Sequence, residues 1–322
     1  MRRHWIVFTA ITGLLAAACG TLAPVPPAPT SELYAANNAN NSVTIYAASA
    51  NGNAAPIRTI SGAATGLNNP LWLVLDAAAN LYVTNFAPSG VTVYAAGAGG
   101  NVAPIRTISG AATGLNGPTG VTLDGAGNLY VANFSLALAA SSVTVHAPGA
   151  NGNVAPIRTI TGGATGLSAP AGVALDAVGT LYVANTGGNS VTVYAPGANG
   201  NVLPIRTIIG AATGLTGPTG IALDGAGNVY VTNRIGVNHS VTVYAPGADG
   251  NAAPIRTISG GGSGIVDPRG AALDGSGALY VANGNFSVTV HAAGATGNAA
   301  PIRTIIGGST GLNNPFGVAV RP

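Results

Sequence analysis

Pro56-Ile57-Arg58-Thr59-Ile60 returns at residues 104–108, 156–160, 204–208, 254–258 and 301–305, so this 322-residue chain is built from six copies of one unit. The intervals of 48, 52, 48, 50 and 47 residues match the length of a propeller blade. Outward from the pentapeptide, each interval holds a segment on the pattern Pro-x-Gly-Val-x-Leu-Asp, met in full at Pro118–Asp124 and Pro170–Asp176, and then one on the pattern Leu-Tyr-Val-Ala/Thr-Asn, as in Leu129–Asn133. Within the unit 118–161 the alternation of apolar runs and turn residues predicts strand a over Pro118–Leu123, b over Asn128–Ala132, c over Ser142–Ala147 and d over Pro156–Thr161. Asp124-Gly125-Ala126-Gly127 suits a hairpin corner and Gly149–Asn153 a wider loop. Strands a and b are apolar at consecutive positions, as in sheets packed on both faces.

The repeat region enters on a strand b, Leu33–Asn37, and leaves on a strand a, Pro315–Val320. Pairing the two completes a blade and removes two exposed sheet edges. The expected fold is therefore all-β: a six-bladed propeller of four-stranded blades over residues 32–322, closed by the C-terminal strand against the N-terminal strands. These motifs resemble the NHL-repeat propellers, and Leu81-Tyr82-Val83-Thr84-Asn85 also resembles the YVTN repeats of surface-layer proteins. The resemblance spans residues 32–322 and implies a fold that hosts binding, scaffolding and a few enzymes. One departure is that the familiar strand-b Asp is Asn in all six copies, which argues against ion-binding roles.

Only 6 % of residues are charged and 47 % are hydrophobic, with 49 Gly and 21 Pro, a composition of turn-rich β structure. The apolar run Trp5–Ala18 follows Arg2 and Arg3 and is too short to span a membrane, so it reads as a secretory signal peptide, residues 1–18. It ends Leu15-Ala16-Ala17-Ala18-Cys19-Gly20, which resembles the lipobox of bacterial lipoproteins, with Ala16 where that family usually has Leu. Cys19 is the sole cysteine, so no intrachain disulfide forms, and the resemblance makes Cys19 the lipidation site. An ordinary signal peptide with an incidental Cys is the alternative. Residues 19–31, with Pro24, Pro26, Pro27 and Pro29, form a semi-extended tether. Removing residues 1–18 takes two of the eleven Arg and leaves nine basic against eight acidic residues, with no Lys. No basic stripe offers phosphate neutralisation, so nucleic acid is not an expected partner, and contact with a membrane is expected through the lipid alone.

The repeated residues have ready structural roles. The six motif Arg (Arg58, Arg106, Arg158, Arg206, Arg256, Arg303) are expected to pack their stems and bond backbone carbonyls. The five corner Asp (Asp76, Asp124, Asp176, Asp224, Asp274) are expected to cap their own turns. The strand-b Asn (Asn37, Asn85, Asn133, Asn185, Asn233, Asn283) would ring the upper channel mouth, where they either cap turns or hold a cation or polyol. The strand-b Tyr, and His146 and His291 in place of a strand-c Tyr, read as blade packing.

Function is sought where the copies differ, because such changes are not needed to build a blade. Trp72 replaces the Gly of Pro-x-Gly, and Arg269 and Phe316 occupy its x position; Phe86, Phe134, Arg234, His239 and Phe286 fall in b–c loops, and Asp267 in a d–a loop. All map to the upper face. Exposed aromatics around a polar mouth, with Arg and His to one side, suit a sugar, an aromatic small molecule or a peptide; the alternative is looser selection on surface loops, with Phe and Trp tucked between blades. The loop Phe134–Ser142 adds Leu136 and Leu138, an apolar tip suited to a partner surface. For catalysis, gluconolactonase-like propellers imply a Glu, Asn and Asp metal site, and the single Glu, Glu32, stands at the very start of the propeller. Streptogramin-lyase-like propellers imply a His with acidic partners, for which His239 with Asp267 is the comparable pair. The expected function is a lipid-anchored binding or protein-interaction module of the cell envelope, with no cofactor or metal; the alternative is an envelope hydrolase or lyase using His239, Asp267 and Arg234.

Overall fold

In a computed structural model, residues 31–135 and 141–321 are described. The leader, Cys19, the tether up to Thr30, and the loop tip with Leu136 and Leu138 lie outside them. Six sheets of four antiparallel strands make up the described chain. Blade 2 is Pro70–Leu75, Leu81–Asn85, Gly90–Tyr94 and Arg106–Ser109; blade 3 is Pro118–Leu123, Leu129–Asn133, Ser142–His146 and Arg158–Thr161. Blade 4 is Pro170–Leu175, Leu181–Asn185, Ser190–Tyr194 and Arg206–Ile209; blade 5 is Pro218–Leu223, Val229–Asn233, Ser240–Tyr244 and Arg256–Ser259. Blade 6 is Pro268–Leu273, Leu279–Asn283, Ser287–His291 and Arg303–Ile305. Blade 1 is composite: Pro315–Arg321 lies beside Glu32–Asn37, followed by Ser42–Ala47 and Arg58–Ile60. Strand d begins at its Arg, two residues after the expected Pro156; Pro has no N–H to give, and Ile157 N–H makes the last link, to the Val145 carbonyl at 2.8 Å.

Period-two alternation divides each blade between two neighbours. In blade 4, Leu181 and Val183 pack into the core shared with blade 3, while Tyr182 and Ala184 face blade 5. One apolar cluster fills every gap between blades, the gap between blades 6 and 1 included. The strands a of consecutive blades touch around the axis. There the Gly of Pro-x-Gly is required, since a Cβ on Gly120, Gly172, Gly220, Gly270 or Gly317 would collide with the backbone of the next strand a. At the rim, each c–d loop adds a parallel bridge to strand d of the preceding blade, as Gly100 does to Ile60, and Gly52 closes the ring onto Ile305. These bridges cover the outer strand edges.

Candidate functional site

Two residues per blade converge on the upper mouth of the axis. One is the x of Pro-x-Gly: Leu71, Thr119, Ala171, Thr219, Arg269 and Phe316. The other follows the strand-b Asn: Asn38, Phe86, Phe134, Thr186, Arg234 and Gly284. Strand a brings the first to the axis, and the ladder pairs its Pro with the strand-b Asn, for example Pro118 with Asn133, so the second stands beside it. Both residues from blades 2–5, with Asn38 and Phe316 of blade 1, Asn69 and Trp72, line a cavity of about 400 Å³. Its walls are mostly apolar. Trp72 is 8 % exposed, and its ring meets Phe316 edge-on at 5.7 Å between centroids. With Trp72 in the Gly position, the gap between blades 2 and 3 admits a large aromatic side chain where the other gaps admit only backbone.

Blade 6 completes the ring with charge in place of a wall. A Cβ on Gly284 would collide with the Asp267 carboxylate, so the lack of a side chain there makes room for it. Asp267 Oδ1 accepts from Arg234 Nε at 2.6 Å and Oδ2 from an Arg269 terminal nitrogen at 2.9 Å. Burial alone would raise the Asp267 pKa, but hydrogen bonds and charge from Arg234 and Arg269 hold it below the ordinary carboxylate value. Arg269 is 6 % exposed; it also donates to Asn314 Oδ1 and stacks over Phe316 with its guanidinium carbon 4.3 Å from the ring centroid. Burial lowers its pKa and Asp267 opposes that. Arg234, at 5.7 Å from the same ring, lines the cavity, and its two terminal nitrogens have no protein hydrogen-bond partner among the described residues.

The remaining candidates separate from this cluster. His239 Nδ1 accepts the backbone N–H of Asp267 at 3.0 Å. Asn41 does the same for Asn69, Ser89 for Gly117, Ser141 for Ala169 and Asn189 for Gly217, each across 28 residues. His239 thus makes a repeated contact between blades, on the neutral tautomer with its proton on Nε2, and it is not paired with the Asp267 carboxylate. Phe286 is 49 % exposed in a left-handed turn and does not line the cavity. Trp72, expected among exposed aromatics, is instead tucked between blades 2 and 3 as the alternative had it, and Arg269 is buried beside the axis.

The strand-b Asn side chains are buried rather than presented to the mouth. Asn85 donates to Thr92 Oγ1 and the Val83 carbonyl and accepts from Asn68 N, so it caps the incoming d–a loop. The motif Arg correct an expectation: Arg106, Arg158, Arg206, Arg256 and Arg303 donate to the strand-b Tyr hydroxyl of their own blade at 2.6–3.1 Å, not to carbonyls. The register explains it, since Arg106 and Tyr82 both stand opposite Val93. In blade 1, which has no a–b corner and hence no corner Asp, Glu32 takes the Arg58 fork at 2.8 and 2.9 Å and the Tyr34 hydroxyl at 2.6 Å. The five corner Asp accept backbone N–H groups of their own turns, as Asp124 does from Ala126 and Asn128. Among the described residues no three His, Cys, Asp or Glu gather as metal ligands would.

No family model and no curated protein sequence matches this chain. Solved structures do. A protein of unknown function from Bacteroides caccae matches with a TM-score of 0.66 at 11 % identity, over 90 % of this chain and 98 % of that one. A periplasmic gluconolactonase from Pseudomonas aeruginosa matches with a TM-score of 0.59 at 16 % identity, over 91 % and 99 %. A virginiamycin B lyase from Staphylococcus aureus matches with a TM-score of 0.52 at 11 % identity, over 81 % and 78 %. At these identities the likeness establishes the six-bladed propeller fold and nothing finer.

Proposed function

We propose that this chain is a binding propeller of the bacterial cell envelope, anchored through a lipid on Cys19, whose upper mouth takes a small ligand or an inserted side chain of a protein partner. One observation carries the reading: Trp72, Phe86, Phe134, Arg234 and Phe316, selected as departures from the repeat, line one cavity of about 400 Å³. That volume sits at the small end of the roughly 300–1,000 Å³ of known ligand sites, with the apolar lining and few polar groups such sites have. Trp72 is the sole tryptophan after the leader, so its emission reports on the cavity directly. Titrating the chain from Gly20 onward with cell-wall fragments, oligosaccharides and aromatic metabolites should give a saturable shift for at least one class. Phe316→Ala should abolish it. No shift with any class would remove the small-molecule reading and leave the protein-partner one.

The hydrolase or lyase alternative asks for a free imidazole and carboxylate. Here Asp267 is held by two Arg, and His239 holds backbone. His239→Asn preserves the acceptor that Asn41 and Asn189 supply elsewhere. Under the binding reading it leaves ligand affinity within about twofold; any turnover of a lactone or a streptogramin that it abolishes would favour the enzyme.

A further inference from the structure

We infer that the ligand of the upper cavity is a small apolar or aromatic molecule bearing a single anionic group, a carboxylate or sulfonate, seated against Trp72 and Phe316 with its charge on Arg234. The inference rests on the binding reading above and narrows it.

The first argument concerns hydrogen-bond donors. Three Thr line the wall opposite the aromatic residues, and a hydroxyl has one proton to give. Thr186 gives its proton to the Pro218 carbonyl at 2.7 Å. Thr119 lies 3.0 Å from the Pro170 carbonyl and 3.2 Å from that of Ala132. Thr219 lies 3.2 Å from the Pro268 carbonyl and 3.0 Å from Thr232 Oγ1. All three protons tie one blade to another or to their own sheet, so none serves a ligand. Donors for a ligand are left to Arg234, the Trp72 indole and the amides of Asn38 and Asn69, and each sugar hydroxyl turned to the apolar wall would go unpaired at roughly 1–3 kcal/mol. Apolar surface against the Trp72–Phe316 wall carries no such cost.

The second argument is charge. Arg234, Arg269 and Asp267 sum to one uncompensated positive charge, and among the described residues no carboxylate lines the cavity. Arg269 is buried and committed to Asp267, Asn314 and the Phe316 face, so the residual charge is presented by Arg234, which spends only Nε. The Arg234 side chain is 37 % exposed, so this charge is presented to an arriving ligand, and an oxyanion accepting from the two free terminal nitrogens is its natural partner. A cationic ligand is repelled by this arrangement, and a neutral acceptor takes the same N–H groups without the charge–charge attraction.

Two dyes of one skeleton separate the two readings: anilinonaphthalene sulfonate, which is an apolar monoanion, and its uncharged parent phenylnaphthylamine. Both should bind once per chain and accept excitation energy from Trp72. The sulfonate should bind roughly tenfold tighter, the effect of one charge-assisted contact. Arg234→Gln should erase that preference and Arg234→Lys keep most of it. Should the Gln variant not fold, phenylacetate displacing the dye from the wild-type protein while phenylethanol does not is the same result without a variant. Equal affinities for the two dyes, unchanged in Arg234→Gln, would overturn the anion inference and leave the binding site standing. Absence of energy transfer from Trp72 with both dyes would remove the site itself, and the inference with it.

Discussion

Replacing His146 and His291 by Tyr should stabilise this protein and remove a pH dependence that its fold builds in. In four blades the strand-c Tyr hydroxyl donates to a carbonyl of the preceding d–a loop: Tyr46 to Thr310, Tyr94 to Thr65, Tyr194 to Thr165 and Tyr244 to Thr213, at 2.6–2.7 Å. His146 and His291 occupy that position in blades 3 and 6. They are fully buried, and neither ring nitrogen of either has a partner among the described residues. Burial lowers both pKa values below the ordinary 6.5. As pH falls, the unfolded chain therefore takes up these protons before the folded one does, and stability drops from 6.5 downward until the folded pKa is reached. Each His contributes a slope of up to about 1.4 kcal/mol per pH unit, so the fall between about pH 7.5 and 5.5 is bounded at roughly 3 kcal/mol for the pair. For a domain of this size that is a fall in Tm of up to about 5 °C. Glu32, Asp124, Asp224, Asp267 and Asp274 are held below the ordinary carboxylate range and stay out of this window. The double Tyr variant should lose the fall and gain about 1 kcal/mol per restored hydrogen bond at neutral pH. Thermal melts at fixed scan rate on both proteins decide the matter: a flat wild-type Tm across the window, or an equal fall in the variant, would refute the reasoning.

Three further outcomes follow from single sites. Glu32→Gln should cost about 1–3 kcal/mol at neutral pH by weakening the bond to Arg58, because Glu32 is buried and holds both ends of the guanidinium. Hydrogen bonds from Arg58 and Tyr34 outweigh burial and keep the Glu32 pKa below 4.5. Its contribution is therefore present above 4.5 and lost as pH falls through the lowered value, so urea melts of variant and wild type should converge in acid. Gly120→Ala should cost at least about 2 kcal/mol, since its Cβ meets the backbone of Ala171 to Val173, which cannot yield; Gly125→Ala, into open space at an ordinary φ, should stay within about 0.5 kcal/mol. Cys19→Ser should abolish palmitate labelling and release the propeller from membranes in fractionated cells, whereas labelling that persists would refute the anchor.

The fold was legible because the same physical demand recurs six times. Strand a, predicted over Pro118–Leu123, is found there, strands b and c end within one residue of their predicted limits, and closure by Pro315–Arg321 followed from which strands the two ends lacked. What escaped the sequence were contacts set by register across a sheet. Nothing local tells that Arg106 and Tyr82, 24 residues apart, flank Val93 on one face, and capping chemistry alone suggested a carbonyl as the Arg partner. His239 misled for a related reason: its counterparts Asn41, Ser89, Ser141 and Asn189 are different residue types, so the shared role of accepting one backbone N–H appears only once the blades are superposed in space.

The site was half legible, and the divide is physical. A large side chain where the repeat has Gly, as at Trp72, announces itself because it cannot coexist with the close backbone approach seen at the equivalent positions. A missing side chain announces nothing in a chain with 49 Gly, yet Gly284 decides the electrostatics of the mouth. With any Cβ there, the Asp267 carboxylate loses its place, Arg234 and Arg269 lose their common acceptor, and a buried guanidinium is left with a single amide oxygen and a ring face. Burying a cation so poorly paired costs several kcal/mol, so the two Arg, the Asp and the Gly are tenable only together. Four departures that look unrelated along the chain thus form one device in space. It replaces the sixth aromatic or hydroxyl position of the ring with a net positive charge at the cavity's edge.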